Sequence, residues 1–324
     1  MELYISRNGA KISKVKESFH VKSDEQEYIL SSEKIKSIIL ESECSLTSGV
    51  IRLAFEKDIP IIITDIYGNI MGQFYKSNGT KNGKLKKEQY KFFSSDNGME
   101  IAKEWVIEKI LNQKIHLEKL LKRRKKSTEI LSIFNNYIKK IEDIKGNTDK
   151  NRDMIMGFEG ITSRIYFRTI SEIMEKKWKF EKREHQNAKE PYNIVLNYMF
   201  GILYRKLETL LLQEGFDTTV GILHTEGNNK LPLLYDFIEK YRILALEGVF
   251  DLFNSKEIKD SFFEGETSKK LTTEGKYVIS SYFNNIFSSG REYRGKKYII
   301  DDIVKFELKK LKNVILEVQI WIIY

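Results

Sequence analysis

The 324-residue sequence predicts an α+β chain: a small N-terminal domain of short β-strands with one helix, followed by a larger, nearly all-α domain. Three observations carry this expectation. Up to Phe74, apolar residues come in short runs separated by turn residues, which is strand patterning. Over residues 75–87 the composition turns to Lys, Asn, Gly and Ser, too polar to build a core. Beyond that tract Ile101, Trp105, Ile107, Ile110, Leu111, Ile115, Leu117 and Leu120 recur at helical spacing. The expected division is residues 1–75 for the strand domain, 76–96 for a linker and the start of the helical region, and 97–324 for the helical domain.

In chain order, Leu3-Tyr4-Ile5, residues 12–15, Tyr28-Ile29-Leu30 and Ile38-Ile39-Leu40 read as strands, with Asn8-Gly9 as a hairpin turn between the first two. Thr47 or Ser48 is placed to cap a helix whose apolar face is Val50, Ile51, Leu53, Ala54 and Phe55. Ile61-Ile62-Ile63-Thr64 after Pro60 reads as a buried strand, and residues 65–72 turn the chain into a last one. In the second domain helices are expected over residues 161–174, 192–213 and 231–253. Pro191 and Pro232 fall at the starts of the last two, where the missing N–H has no intrahelical partner to lose.

With 55 Lys and Arg against 46 Asp and Glu, the net charge of +9 points toward a polyanionic partner, although a lysine-covered solvated surface gives the same surplus. Met1 to Arg7 lacks the apolar run of a secretory signal, so a cytoplasmic location is expected. No stretch has the length and apolarity of a membrane span; even residues 314–324 are short and carry Glu317 and Gln319. Cys44 is the only cysteine, which excludes an internal disulfide and a thiolate zinc cluster within the chain. A metal would have to be held by oxygen and imidazole.

Three patterns in the second domain invite a chemical reading. Gly157-Phe158-Glu159-Gly160 sets a carboxylate between glycines just before an expected helix containing Arg164, Tyr166 and Phe167; small neighbours permit close approach, and a plain first-turn carboxylate is the alternative. Gly215-Phe216-Asp217-Thr218-Thr219-Val220-Gly221-Ile222-Leu223-His224 follows a helix and presents a histidine from an apolar strip, where packing is the alternative role. On the third expected helix Asp236 and Glu239 share a face and Arg242 follows three residues later; a solvated ion-paired face is the alternative. As a set, two carboxylates and a neutral imidazole make a mixed oxygen and nitrogen site for one divalent cation, Mn²⁺ or Mg²⁺. Such an ion suits phosphodiester chemistry. The other histidines, His20, His116 and His185, show no comparable acidic context in the sequence.

In these blocks, and in their order, the sequence resembles the CRISPR-associated protein one family, the spacer-integrating endonucleases of CRISPR adaptation. Glu159 in its glycine-flanked motif with the following Tyr166 matches the first metal ligand. His224 ends the Gly-x-Asp-x-x-x-Gly-x-x-His pattern, and Glu239 matches the third ligand; all three are the implied catalytic and metal-binding residues. Asp236 and Arg242 belong to the Leu-x-x-Asp-x-x-Glu-x-x-Arg motif and are implied to support the site together with Tyr166. The similarity also covers residues 48–55, Gln89, Ile101-Ala102-Lys103, Lys109-Ile110-Leu111-Asn112-Gln113, residues 193–198 and Leu203-Tyr204. Ile243 and Glu247 depart from it, standing where relatives often carry proline and aspartate. The resemblance implies a homodimer joined through the strand domains, a small companion CRISPR-associated protein, and attack of a DNA 3′-hydroxyl on a phosphodiester at a repeat boundary, with DNA cleavage at the same centre.

The basic tracts are expected to meet phosphates. Lys81, Lys84, Lys86 and Lys87 lie in the interdomain tract, Lys122-Arg123-Arg124-Lys125-Lys126 is the densest run, and Arg164, Lys182 and Arg183 are nearer the centre. Two other functions fit the same sequence: a catalytically silent, basic DNA-binding architectural protein, and a general DNA-repair nuclease.

Overall fold

In the computed structural model the described residues are 1–24, 26–65, 70–74, 83–185, 187–224, 231–265 and 269–316. The chain divides into two compact units, Met1–Lys81 and Asn82–Tyr324.

Isoleucine runs organise the first unit. Strands β1 (Glu2–Ile5), β2 (Ala10–Val15), β3 (Ser18–Lys22), β4 (Glu27–Ser31), β5 (Ser37–Leu40) and β6 (Cys44–Leu46) precede helix α1 (Ser48–Glu56), and β7 (Ile61–Thr64) and β8 (Ile70–Phe74) follow it. One four-stranded sheet has the order β1-β5-β7-β8, the other β4-β3-β2-β6. Every residue of β5 is buried, as expected of a strand with parallel partners on both sides, and it pairs in parallel with β1 and β7. Val50, Leu53 and Ala54 of α1 join Ile12, Phe19 and Ile38 in one core.

This pairing corrects the expected hairpin at Asn8-Gly9. Because β5 takes β1 as its neighbour, β1 and β2 belong to different sheets, and the Gly9 N–H donates to Glu43 O at 2.8 Å. The hairpin is instead β2 with β3, turning through Lys16 and Glu17 with Lys16 at φ 53°. β3 and β6 escaped the sequence reading, being short and half polar.

The second unit is mainly helical. Its helices are α2 (Gly83–Phe93), α3 (Asp96–Arg123), α4 (Leu131–Glu142), α5 (Asp149–Ile173), α6 (Pro191–Glu214), α7 (Pro232–Ile238), α8 (Arg242–Asn254), α9 (Thr273–Ser288) and α10 (Ile300–Ile315). The all-α expectation is corrected by two small antiparallel ladders, β9 (Phe263–Glu264) with β10 (Lys270–Leu271) and β11 (Gly290–Tyr293) with β12 (Lys296–Ile299). Residues 75–82, which include the start of the expected linker, lie outside the described residues, and Lys84, Lys86 and Lys87 stand on helix rather than loop. Residues 317–324 lie outside them as well. Among the described residues no helix is long and apolar enough to cross a membrane.

Helix α6 is buried on nearly every side, which makes it the centre of this unit. Pro191 opens it, and Gly215, at φ 91°, ends it in the left-handed conformation. Helix α5 begins twelve residues before the expected start, capped by Thr148, whose hydroxyl accepts the Asn151 N–H at 3.2 Å. Glu159 and its glycines are therefore inside a helix, because packing of Ile155, Thr162 and Tyr166 outweighs the roughly 1 kcal/mol each glycine costs there. The expected 231–253 helix is broken by one 3₁₀ turn, Glu239–Tyr241, between α7 and α8.

Candidate metal centre

Helices α3 and α5 lie against each other in the same direction, joined by three polar contacts at a constant offset in sequence. Lys109 meets Glu159, Gln113 Nε2 donates to Ser163 Oγ at 3.4 Å, and His116 Nδ1 lies 2.7 Å from the Tyr166 hydroxyl. Residues 109, 113 and 116 form one stripe of their helix, and 159, 163 and 166 the matching stripe of the other. The 3₁₀ turn then brings Glu239 to the same point, with Oε2 2.5 Å from Lys109 Nζ. A single ammonium thus sits between two carboxylates from elements far apart in the chain. The Lys109 and Glu239 side chains are each 7% exposed and Glu159 is 23% exposed, so Glu159 is the solvent-facing member.

Each carboxylate has a further partner. Ser163 Oγ donates to Glu159 Oε1 at 2.6 Å. Burial opposes ionisation of Glu159, but the adjacent Lys109 ammonium and the Ser163 hydroxyl hold its carboxyl down at about 2. Arg242 Nε pairs with Glu239 Oε1 at 2.9 Å, and its Nη2 donates to the Tyr204 hydroxyl at 3.0 Å.

Asp236, despite sharing a sequence motif with Glu239, turns elsewhere. Its buried carboxylate accepts the Ile222 N–H at 2.5 Å and the Leu223 N–H at 3.0 Å on Oδ2, and the His224 N–H at 3.1 Å on Oδ1. His224 Nδ1 lies 2.6 Å from Oδ1, which assigns the ring proton to Nδ1 and leaves Nε2 as the acceptor nitrogen. Burial works against charging this imidazole, yet the Asp236 hydrogen bond and charge, with Glu239 beyond, raise its pKa overall. Gly221 is required by the close approach: a Cβ there would lie 2.6 Å from Pro232 Cβ and 2.8 Å from Asp236 Oδ2.

The expected ligands are brought together in part. Glu159 and Glu239 converge on one cationic nitrogen, and His224 is oriented by Asp236. Among the described residues, no three His, Cys, Asp or Glu side chains form a ready ligand shell. The donor set nonetheless suits a hard cation: the position now shared by two carboxylates already holds a positive charge, and a fixed imidazole tautomer offers nitrogen.

Three side chains that hold the candidate site together carried little chemical signal in the sequence, although the family resemblance covers two of them, Lys109 and Gln89. Lys109 could have been noticed as a lysine on the buried stripe of α3 beside Trp105 and Val106. Buried Gln89 clamps the loop before His224, its Nε2 donating to Asp217 O at 2.7 Å and its Oε1 accepting the Asp217 N–H at 3.0 Å. The Tyr90 hydroxyl donates to Asp217 Oδ2 at 2.7 Å. Nothing local marks Gln89 or Tyr90, since their partner lies across the fold.

A family model described as CRISPR associated protein Cas1 matches residues 3–285. The chain belongs to the Cas1 family. It is 30% identical over 237 residues, 70% of each chain, to CRISPR-associated protein Cas1 3 of Methanobrevibacter ruminantium. The fold is similar to a casposase bound to integration product, with a TM-score of 0.84 at 22% identity over 98% of this chain and 92% of that one. It is also similar to a chain of a Cas6-RT-Cas1–Cas2 complex, with a TM-score of 0.82 at 24% identity over 98% of this chain and 35% of that one.

In this Cas1 chain the basic residues fall into two kinds. Arg164, Lys182, Lys122, Arg123, Lys125 and Lys126 are exposed, with Lys122 paired to Glu118 at 2.5 Å. Arg183 and Arg124 are partly enclosed. Arg183 Nη1 donates to Asn193 Oδ1 at 3.2 Å and Nη2 to Asn197 Oδ1 at 2.5 Å, and its guanidinium lies over Phe167 and Phe200. Arg124 donates to Asn254 at 2.9 Å and covers Phe250. Tyr166 is fully buried, with its hydroxyl on His116, so it packs the α3–α5 seam. Lys86 stands 3.6 Å from Asp217. His20, outside the candidate site, pairs with Glu27 at 2.6 Å across β3 and β4.

Proposed function

We propose that this Cas1-family chain is a metal-dependent DNA endonuclease and integrase of CRISPR adaptation, joining short DNA fragments into a repeat array by transesterification. The observation that carries this reading is the convergence of Glu159 and Glu239 on one positive charge, with a tautomer-fixed His224 supplied by the neighbouring loop. Glu159, Glu239 and His224 would hold Mg²⁺ or Mn²⁺, which when bound polarises a phosphodiester and stabilises charge in the transition state.

The chain's own residues then do three things. Asp236 keeps the His224 proton on Nδ1 and the loop amides gathered beneath it. Arg242 keeps Glu239 oriented through a pair that Tyr204 extends. The exposed cations, Arg164, Lys182 and the Lys122 to Lys126 run, neutralise phosphates and position DNA without reading its sequence. In joining, the fragment's 3′-oxygen bonds to phosphorus as the target strand's 3′-oxygen leaves. One phosphodiester replaces another, so no external energy is needed.

Further parts of the reading rest on the family. The first unit serves as the homodimer contact, and a small companion protein completes the complex, in line with the Cas1–Cas2 assembly among the similar folds. The experiment is an integration assay with a short duplex, a repeat-bearing plasmid, the companion subunit and Mn²⁺. Joined product is expected with a free 3′-hydroxyl, and none with a dideoxy end or with EDTA. Equal joining by the dideoxy substrate would overturn the transesterification.

A further inference from the structure

We propose that Lys109 is a resident cation that occupies the Glu159–Glu239 pair until a divalent ion displaces it, so that metal loading exchanges one positive group for another. The proposal rests on the reading of those carboxylates as metal ligands.

Lysine is almost never this buried without a partner, and Lys109 is 6% exposed in the middle of α3. Its Nζ contacts one carboxylate on α5 and another on the turn after α7. Two carboxylates drawn to one buried point repel, and leaving either uncompensated is strongly unfavourable. Arg242 offsets one of the two negative charges through Glu239, so the second needs a cation of its own before any metal is captured, and Lys109 supplies it from within the chain.

The choice of lysine matters for release. An ammonium is a compact charge on a flexible four-carbon stem, so it can swing away without moving the helix, whereas a guanidinium fork would hold both acids in a planar grip. Arg242 stays on Glu239 Oε1 and the Tyr204 hydroxyl, so Glu239 remains oriented when the ammonium leaves. Ammonium and divalent ion repel each other and compete for the same oxygens. The measured metal affinity is then the intrinsic affinity reduced by the fraction of molecules in which Lys109 is withdrawn.

The test is Mn²⁺ binding to the full-length chain, by calorimetry and by electron paramagnetic resonance of free Mn²⁺, for wild type, Lys109→Met, Lys109→Arg and Glu159→Gln. If the open form is a minor state of the usual few per cent, Lys109→Met binds Mn²⁺ at least about tenfold more tightly. Its metal-free melting temperature falls and its metal-induced rise in melting temperature grows, while Lys109→Arg binds no more tightly than wild type. Unchanged or weaker binding by folded Lys109→Met would overturn the exchange. Should that variant fold only with metal, EDTA competition on the Mn²⁺-refolded protein gives the same reading: more chelator than wild type supports the proposal, and equal or less overturns it. Wild type that binds no Mn²⁺, or a Glu159→Gln variant that binds like wild type, would instead remove the metal centre and the exchange with it.

Discussion

Asp236 Oδ1 stands 2.6 Å from His224 Nδ1, and the same carboxylate receives the backbone N–H groups of Ile222, Leu223 and His224. One buried acid thus folds the loop and fixes the imidazole that the loop carries. Structure and chemistry can be separated here by substitution.

Asp236→Ala should cost on the order of 3–5 kcal/mol in urea unfolding, because it strips charge-assisted partners from buried donors. Asp236→Asn should keep more of the fold but lose control of the His224 tautomer, lowering Mn²⁺-dependent joining by about 10–100-fold. Wild-type joining by a folded Asp236→Asn protein would show that the imidazole needs no such partner.

Gly157 and Gly160 flank Glu159 inside α5, and a Cβ added at either would meet nothing within 4 Å. Internal packing thus gives no reason for glycine there, whereas the proposed function, which brings a DNA strand to Glu159, would supply one. Alanine at each position should raise helix stability by about 0.5–1 kcal/mol and lower joining. Thermal melts and joining assays on the same samples would check this. Faster or equal joining by the stabilised variants would assign the glycines no part in substrate approach.

Two buried groups outside the candidate metal centre set opposing pH dependences. Burial, aided by Lys119, pulls His116 down to about 4. The unfolded chain therefore takes up that proton first as pH falls, and stability present above about 6.5 is lost down to about 4. Burial pushes Glu208 up to about 7. Its contribution is fully present below about 4.5 and lost as pH rises to about 7. Each effect is on the order of 3 kcal/mol. In denaturant titrations from pH 4 to 8, His116→Gln should flatten the acid-side loss and Glu208→Gln should remove the decline toward neutrality. Parallel curves for wild type and both variants would contradict this assignment.

The candidate site was legible in the sequence where chemistry and spacing coincide locally. Glu159, His224 and Glu239 stood out as a set because few residue types hold a hard cation, and Pro191, Pro232 and Gly215 marked helix ends by backbone rules that neighbours cannot override. What depended on distant partners was not legible. Asn8-Gly9 has the composition of a hairpin, but the demand of β5 for two parallel neighbours separates the strands it joins. Lys109 and Gln89 have no meaning until α5, the turn at Glu239 and the loop at Asp217 are folded against them. Glycines at 157 and 160 suggested a helix entrance, and only packing reveals a continuous helix.

The central claim is that Glu159, His224 and Glu239 act together on a phosphodiester through one metal ion. The most direct measurement is Mn²⁺-dependent strand joining by Glu159→Gln, His224→Ala and Glu239→Gln beside their DNA affinities. Joining should fall at least about 100-fold in each, with DNA binding close to wild type. Joining at wild-type rates by these variants would contradict the account, leaving only a basic DNA-binding scaffold.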